Sequence, residues 1–507
     1  MDYRQSAFQP FKRKFGMKKT IYLIIGIIIT GIFSFSGKLL AESEIQTSMV
    51  KIYTTYTRPN YHNPWNTETP KLISGSGCII KGNRILTNAH VVSDQTFIQV
   101  RKYGQSEKYK AKVLALSHEV DLALLTVEEK KFFKEVKPLA LGELPLAQEE
   151  VVVYGFPEGG DSLSLTKGVI SRIEHQVYAH SAIKFLSIQI DAAINCGNSG
   201  GPVLNDDKII GVAMQSLSDS ENIGYIVPTP IIDHFLKDLE DGQYDGFPKV
   251  GIITQSMENE DLRNMYRLKK SDSGILVSSV IVGSPAEGII RLGDVITSIE
   301  GHDIANDGTV EFRHNARTNY SYFIQKHQIG KKASLKIIRD GKEQEVQITL
   351  DASTNNLRLV PLYRYDILPT YYIYSGLVFS LLTLDYLEIW GEWTLYAPDD
   401  LVMLLHDGRP SVKGEEVINM IKVLPHDVNN GYHDMADCII TEVNGKKVHN
   451  LKELIHIVGN DTERKFIKFK TKKDKYIVLD REKAAKAHAE ILEIYGVPAD
   501  RSFDLDI

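Results

Sequence analysis

Three side chains in three separate stretches carry the makings of nucleophilic chemistry. The segment "DAAINCGNSGGPVL" (residues 191–204) sets Ser199 among three glycines and two asparagines, with apolar runs on both sides. A serine hydroxyl is a weak nucleophile until a neighbouring base takes its proton. A histidine does this when a carboxylate fixes its tautomer and stabilises the imidazolium. "ILTNAHVV" puts His90 directly after an apolar run, at a strand end, and "EVDLALL" puts Asp121 at the start of another. A carbonyl under attack develops negative charge, which rigid backbone N–H groups stabilise. Glycine allows the sharp turn that makes such groups converge. The amides of Gly197 and Ser199, with Asn198 between them, are the candidate donors. Singly, each residue reads as a turn or a structural histidine. Three at strand ends, in the chain order His90, Asp121, Ser199, reverse that judgement. His118 is the rival base; it lacks the "TNAH" context and is expected on the surface.

That order is the one found in chymotrypsin-type enzymes, unlike subtilisins or α/β-hydrolases. The stretches "GSGCII…ILTNAHVV", "DLALL" and "IDAAINCGNSGGPVLN" resemble the HtrA/Deg family of serine proteases, and the likeness covers nearly the whole chain after its N-terminal segment. "LGDVITSIEG" resembles part of a PDZ domain. "YYIYSGLVFSLL" and "LPHDVNNGY" are similar to the second PDZ-like domain of plant-type Deg proteases. The resemblance implies a mainly β fold: a chymotrypsin-like double β-barrel protease domain followed by two small α+β PDZ-like domains. It makes Ser199 the nucleophile, His90 the general base, Asp121 the orienting carboxylate and Gly197 to Ser199 the oxyanion hole. It further implies an acyl-enzyme, unfolded or damaged proteins as substrates, a role in protein quality control, and assembly as trimers or multiples of them.

The elements that must position these residues are legible in the periodicity. The length of 507 residues suggests about three domains. From Met49 to about Pro230, short apolar runs broken by Gly, Asn and Pro predict a barrel or sandwich. The segment "TPIIDHFLKDLEDG" then has the helical spacing Ile231, Ile232, Phe235, Leu236 and Leu239, with Gly242 as a stop. The fragments "ITSIEG" (296–301) and "ITEVNG" (440–445) echo one another, which predicts two copies of one small module. In the later copy Leu451, Leu454, Ile455 and Val458 share a helix face behind Asn450 as N-cap. A final helix near "REKAAKAHAEILEIYG" ends at Gly496. The boundaries expected are 1–41 for a signal peptide or anchor, 42–247 for the protease domain, 248–352 for the first PDZ domain and 357–507 for a degenerate second.

Specificity follows from what the pocket lacks. A carboxylate on the pocket floor selects basic residues in trypsin-like enzymes, but Ala193 stands six residues before Ser199. Small or medium aliphatic residues before the cut are therefore expected, with Ile194, Ala213 and Met214 as walls. Cys78 and Cys196 are expected as buried free thiols. A PDZ domain adds a peptide as an extra strand and captures its C-terminal carboxylate on a loop of N–H groups. In the first copy that loop is Lys249, Val250, Gly251 and Ile252, facing a helix around Tyr322 and Phe323. The corresponding Tyr374 to Leu377 belongs to the degenerate copy and is not expected to bind. The lysine-rich run 465–475 reads as an edge or surface strand with lysines outward. A net charge of -6 gives no case for nucleic acid. His175 and His180 form no ligand cluster, so neither metal nor other cofactor is expected.

The N-terminus points to location. A basic region holding Lys12, Arg13, Lys14, Lys18 and Lys19 precedes an uncharged stretch of 18 residues, Thr20 to Gly37. Read as a signal peptide or as an anchor, it exports the rest of the chain, since the basic flank stays cytoplasmic. The expectation is an exported, periplasmic protein tethered to the inner membrane by an uncleaved segment. Two alternatives compete: a chaperone or peptide-binding protein with a switched-off protease domain, and a regulatory protease with one signalling substrate.

Overall fold

The computed structural model describes residues 44–158, 160–216, 223–461 and 463–505. The apolar N-terminal stretch lies outside the described residues. Among those described, no helix is long and apolar enough to cross a membrane.

Twelve strands build two closed barrels. β1 (Met49–Tyr56), β2 (Lys71–Ile80), β3 (Arg84–Thr87), β4 (Gln95–Lys102), β5 (Tyr109–Ser117) and β6 (Leu122–Val127) close in the order β1-β2-β3-β6-β5-β4. β7 (Glu150–Gly155), β8 (Ser164–Val177), β9 (Lys184–Ile190), β10 (Pro202–Asn205), β11 (Lys208–Ser216) and β12 (Gly224–Pro228) close as β10-β11-β12-β9-β8-β7. Alternate β-branched residues fill each interior: Val50, Ile52, Ile85 and Val100 in the first, Val151, Val153, Ile188 and Ile190 in the second. Each such side chain stabilises the fold by ~1.5–3 kcal/mol relative to exposure. The helix Thr229–Asp238 buries Ile231, Ile232 and Phe235, and Gly242 in the left-handed region (φ 90°) ends the 3-10 turn that follows it. One apolar cluster then runs without a break from the seam between the barrels (Tyr154, Phe156, Phe235) into the next domain (Ile275, Ile296, Phe323).

That domain contains β13 (Ile252–Ser256), β14 (Ile275–Val280), β15 (Val295–Ile299), β16 (His302–Asp303), β17 (Thr309–Arg313), β18 (Ala316–Asn319), β19 (Lys332–Arg339) and β20 (Lys342–Thr349). Its sheet runs β13-β14-β15-β19-β20, with β16 on β15 and a separate β17-β18 hairpin. The helix expected around Tyr322 and Phe323 is one short turn, Ser321–Gln325. The last domain contains β21 (Tyr371–Tyr374), β22 (Leu377–Leu381), β23 (Ile418–Val423), β24 (Cys438–Val443), β25 (Lys446–Lys447), β26 (Phe466–Thr471) and β27 (Tyr476–Asp480). Its sheet runs β21-β22-β23-β24-β26-β27. Asn450 caps the helix Leu451–Asn460 by accepting the Glu453 N–H at 2.8 Å.

The repeated fragments fall at matching places. "ITSIEG" ends in Glu300 (φ 49°) and Gly301 (φ 78°), which join β15 to β16; "ITEVNG" ends in Asn444 (φ 53°) and Gly445 (φ 81°), which join β24 to β25. Two consecutive left-handed residues make the turn that suits a twisted two-residue hairpin. The lysine-rich run lies on β26, which is flanked by β24 and β27 and is not an edge; Lys468 still points outward while Ile467 and Phe469 are buried.

Candidate active site

His90 follows the end of β3, and Asp121 directly precedes β6, its pairing partner. Asp121 adopts the left-handed conformation (φ 60°), and the Asn88 Nδ2 donates to its backbone carbonyl at 2.8 Å. A non-glycine residue there carries conformational strain, which the surroundings must overcome. The gain is a carboxylate turned inward. Asp121 Oδ1 accepts the His90 backbone N–H at 3.0 Å, and Nδ1 of the ring lies 2.9 Å from Oδ2 and 3.0 Å from Oδ1. Burial alone would lower the His90 pKa, but the charge and hydrogen bond of Asp121 outweigh it and leave it raised. Burial likewise pushes Asp121 up, and the His90 charge and hydrogen bond pull it below its ordinary value.

The turn bearing Ser199 is built by close approach. Gly197 has φ 92°, and a Cβ there would fall 2.5 Å from the Phe156 carbonyl oxygen and the Glu158 nitrogen. A Cβ on Gly200 (φ 82°) would meet the Ser76 carbonyl and the Thr87 hydroxyl at 2.2 Å, and the Asn88 nitrogen at 3.1 Å. The serine turn therefore lies against the segment that leads into His90. Buried Ser76 brackets it: its N–H donates to the Ser199 carbonyl (2.9 Å), its hydroxyl donates to the Gly197 carbonyl (2.7 Å) and accepts the Phe156 N–H (2.7 Å). Ser76 was not among the expected site residues; the signal for it is a small polar residue between two glycines in "GSGCII". The Glu158 N–H holds the Cys196 carbonyl at 2.8 Å. Of the three candidate oxyanion donors, Asn198 is excluded because its N–H is taken by the Asn195 carbonyl at 2.9 Å. The N–H groups of Gly197 and Ser199 have no acceptor among the described residues.

A cavity of about 330 Å³ opens beside His90, lined also by Met214, Gln215, Tyr178 and His180. Of the expected pocket walls, Met214 reaches it. Ala213 is fully buried and Ile194 packs in the second barrel's core against Gly224, while Ala193 is half-buried. Two expectations need correction. Cys78 is buried and free, but Cys196 is exposed because the turn carries it over the surface. His118 is half-buried and partnered rather than free on the surface: its Nε2 lies 2.6 Å from Asp366 of the last domain, and its Nδ1 lies 3.4 Å from His180. A chain folded through three domains puts partners beside it that local sequence does not display.

The two carboxylate-loop candidates differ. Gly251 (φ 81°) lies against Ser284, the Val250 and Gly251 carbonyls accept the Ala286 and Ile281 N–H groups, and the amides of those two residues have no acceptor among the described residues. Lys249 is turned toward Glu119 of the protease domain, where burial lowers its pKa. In the last domain the Ser375 N–H donates to His488 Nδ1 (3.2 Å), and Asn429 Nδ2 donates to the Ser375 and Leu424 carbonyls at 2.9 Å.

Two β-barrels, a half-buried His90 held by a buried Asp121, and a glycine-built serine turn define a trypsin-like serine peptidase. Residues 75–212 match the trypsin-like peptidase domain, and residues 251–350 and 360–504 match PDZ domains. The chain is 40% identical over 458 residues to the Arabidopsis thaliana protein "Protease Do-like 4, mitochondrial", covering 90% of this chain and 85% of that one. It is 39% identical to "Protease Do-like 2, chloroplastic" of the same plant, over 92% of this chain and 76% of that one. The chain belongs to the HtrA/Deg (Do-like) family of PDZ-bearing serine proteases and is a serine endopeptidase. An HtrA-type protease solved with a decapeptide shares the fold, with a TM-score of 0.51 at 23% identity, over 62% of this chain and 97% of that one.

Proposed function

We propose that this endopeptidase cuts unfolded or damaged polypeptides through an acyl-enzyme, in an extracytoplasmic compartment, as part of protein quality control. The observation that carries the mechanism is the Asp121 carboxylate 2.9 Å from His90 Nδ1. It keeps the Nδ1 proton in place and leaves the lone pair on Nε2, the tautomer a general base requires. Ser199 Oγ attacks the scissile carbonyl as His90 takes its proton; the oxyanion is held by the Gly197 and Ser199 N–H groups. His90 then protonates the departing amine, and water repeats the sequence on the ester. With no carboxylate on the Ala193 floor, small or medium aliphatic residues are preferred before the cut.

The first PDZ domain engages substrate C-termini at Lys249 to Ile252, supported by the unoccupied Val250 and Gly251 amides. Export rests on the basic and then apolar N-terminal sequence, which also supplies a membrane tether. Assembly into trimers or multiples rests on kinship alone. The test is incubation of the full chain and of Ser199→Ala with a permanently unfolded protein, alongside fluorophosphonate labelling. Cleavage and labelling by the parent only is the expected result. Cleavage by both chains overturns Ser199 as the nucleophile, and cleavage by neither in the presence of activating peptides overturns the reading in favour of a chaperone with a silent protease domain.

A further inference from the structure

A buried phenol stands beside the His90–Asp121 pair. Tyr178, 2% exposed, has its hydroxyl 3.2 Å from His90 Nδ1 and turned to Asp121. Nδ1 has a single proton, directed at the carboxylate, and the phenol beside it stands in the field of the Asp121 charge. Tyr178 lies just beyond β8, on a loop that the last domain grips. The Tyr365 ring stacks on His180 with centroids 3.8 Å apart and planes 4° from parallel, and its hydroxyl donates to the His180 carbonyl at 3.0 Å. Ile183, at the loop's far end, packs within the last domain's core.

We infer that Tyr178 is a positioning residue for the His90–Asp121 pair, and that the second PDZ domain holds it in place through Tyr365. The inference rests on the endopeptidase reading above and adds a means by which a domain closed to peptide ligands governs catalysis. A phenol donating to Asp121 both restrains its carboxylate and disperses its charge. Without that donor, the carboxylate stabilises the imidazolium more strongly. The other titratable or charged groups around the loop are His118, His180, Asp366, Asp94 and Arg58, and the variants below retain all of them.

The test is the pH profile of kcat/KM, with fluorophosphonate labelling of Ser199 as a readout independent of PDZ ligands. Tyr178→Phe is expected to lose about tenfold in kcat/KM, the scale of one hydrogen bond to a charged group, with the acid limb moved to higher pH. Tyr365→Ala is expected to move the limb in the same direction, and Tyr365→Phe, which keeps the stack, to restore the parent profile. The Tyr178→Phe/Tyr365→Ala double variant is expected to match Tyr178→Phe alone. A Tyr178→Phe profile that overlays the parent's, or a limb moved to lower pH, overturns the role of Tyr178. Effects that multiply in the double variant overturn the link through Tyr365. A parent that neither cleaves nor labels counts against the endopeptidase reading instead.

Discussion

The first PDZ domain leaves β13 at the edge of its sheet, whereas the second covers the matching strand, β22, with β21. Otherwise the five-strand paths correspond, β13-β14-β15-β19-β20 and β22-β23-β24-β26-β27. The covering strand is itself capped, since Tyr372 bridges Arg501 and the Ile373 N–H donates to the Asp500 carbonyl at 2.7 Å. An edge offers its backbone groups to an incoming strand; a covered one has none to spare. The two domains also dock differently. The first sits against β8 and β9, with His175 between Thr318 (2.7 Å) and Gln325 (3.2 Å). The second reaches the rim of the catalytic cleft through Tyr365 and Asp366. The two docks converge on adjacent residues just before Asp121: His118 meets Asp366, and Glu119, which accepts the Phe247 N–H at 3.1 Å at the end of the protease domain, faces Lys249 of the first PDZ domain. On the proposed reading, one copy of the fold stays open for ligand capture and the other serves as a brace.

Asn429 offers the harshest test of that division. It is fully buried, gives both Nδ2 protons to the Ser375 and Leu424 carbonyls, and accepts the His426 N–H at 2.9 Å. Asn429→Ala orphans two buried carbonyls and a part-buried N–H and should destabilise the second domain by ~2–4 kcal/mol, read by denaturant melting. Affinity of the full chain for a C-terminal peptide should stay unchanged if, as proposed, that peptide binds the first PDZ domain.

Acid should loosen the first dock next. Burial lowers the His175 pKa to about 4, against 6.5 for the free side chain. Between those values the unfolded chain binds more protons than the folded one, so stability rises with pH across the window and is lost as pH falls from about 6.5 towards 4. The full effect is on the order of 3 kcal/mol. His175→Gln, which keeps a hydrogen-bonding side chain without a titration, should flatten the stability profile there. Unchanged curvature would mean that other groups carry it. Catalysis has a separate dependence: the raised His90 pKa means that activity falls as pH drops through a value above 6.5.

Peptide capture gives the third contrast. A methyl group on Gly251 would lie 2.1 Å from the Ser284 Cβ at a left-handed φ of 81°, so Gly251→Ala must distort the loop. Peptide binding, followed by fluorescence anisotropy, should weaken about tenfold or more. Gly376→Ala is equally crowded, with Asn429 Nδ2 at 2.4 Å, and should cost stability while leaving peptide affinity alone.

What could be read in advance divides along physical lines. His90, Asp121 and Ser199 stood out because nucleophile chemistry demands particular residue types beside glycines, and those demands are local. The hairpin turns at Glu300-Gly301 and Asn444-Gly445 were legible as an echo for the same reason. The extra strand β21 was not, because "YYIY" has the same β-propensity whether it pairs outside or inside the sheet. Nor could His118 be assigned, since its partner Asp366 lies 248 residues away. Asn198 failed as an oxyanion donor through a backbone hydrogen bond within its own turn, a detail of φ and ψ that residue type leaves open.

The mildest perturbation concerns what holds the second dock. Asp366 and Asp94 exchange backbone-to-carboxylate hydrogen bonds of 2.7 and 2.9 Å, and Asp366 also meets His118. These contacts are solvent-accessible, so each ion pair or hydrogen bond competes with water and contributes ~0.2–1 kcal/mol. The Tyr365–His180 stack, in contrast, removes two ring faces from solvent. Asp366→Ala should therefore shift the melting transition by no more than about 1 kcal/mol and leave the acid limb of kcat/KM in place, where Tyr365→Ala moves it. If Asp366→Ala instead matched Tyr365→Ala in the pH profile, the polar contacts would be the brace and the stacked ring a passenger.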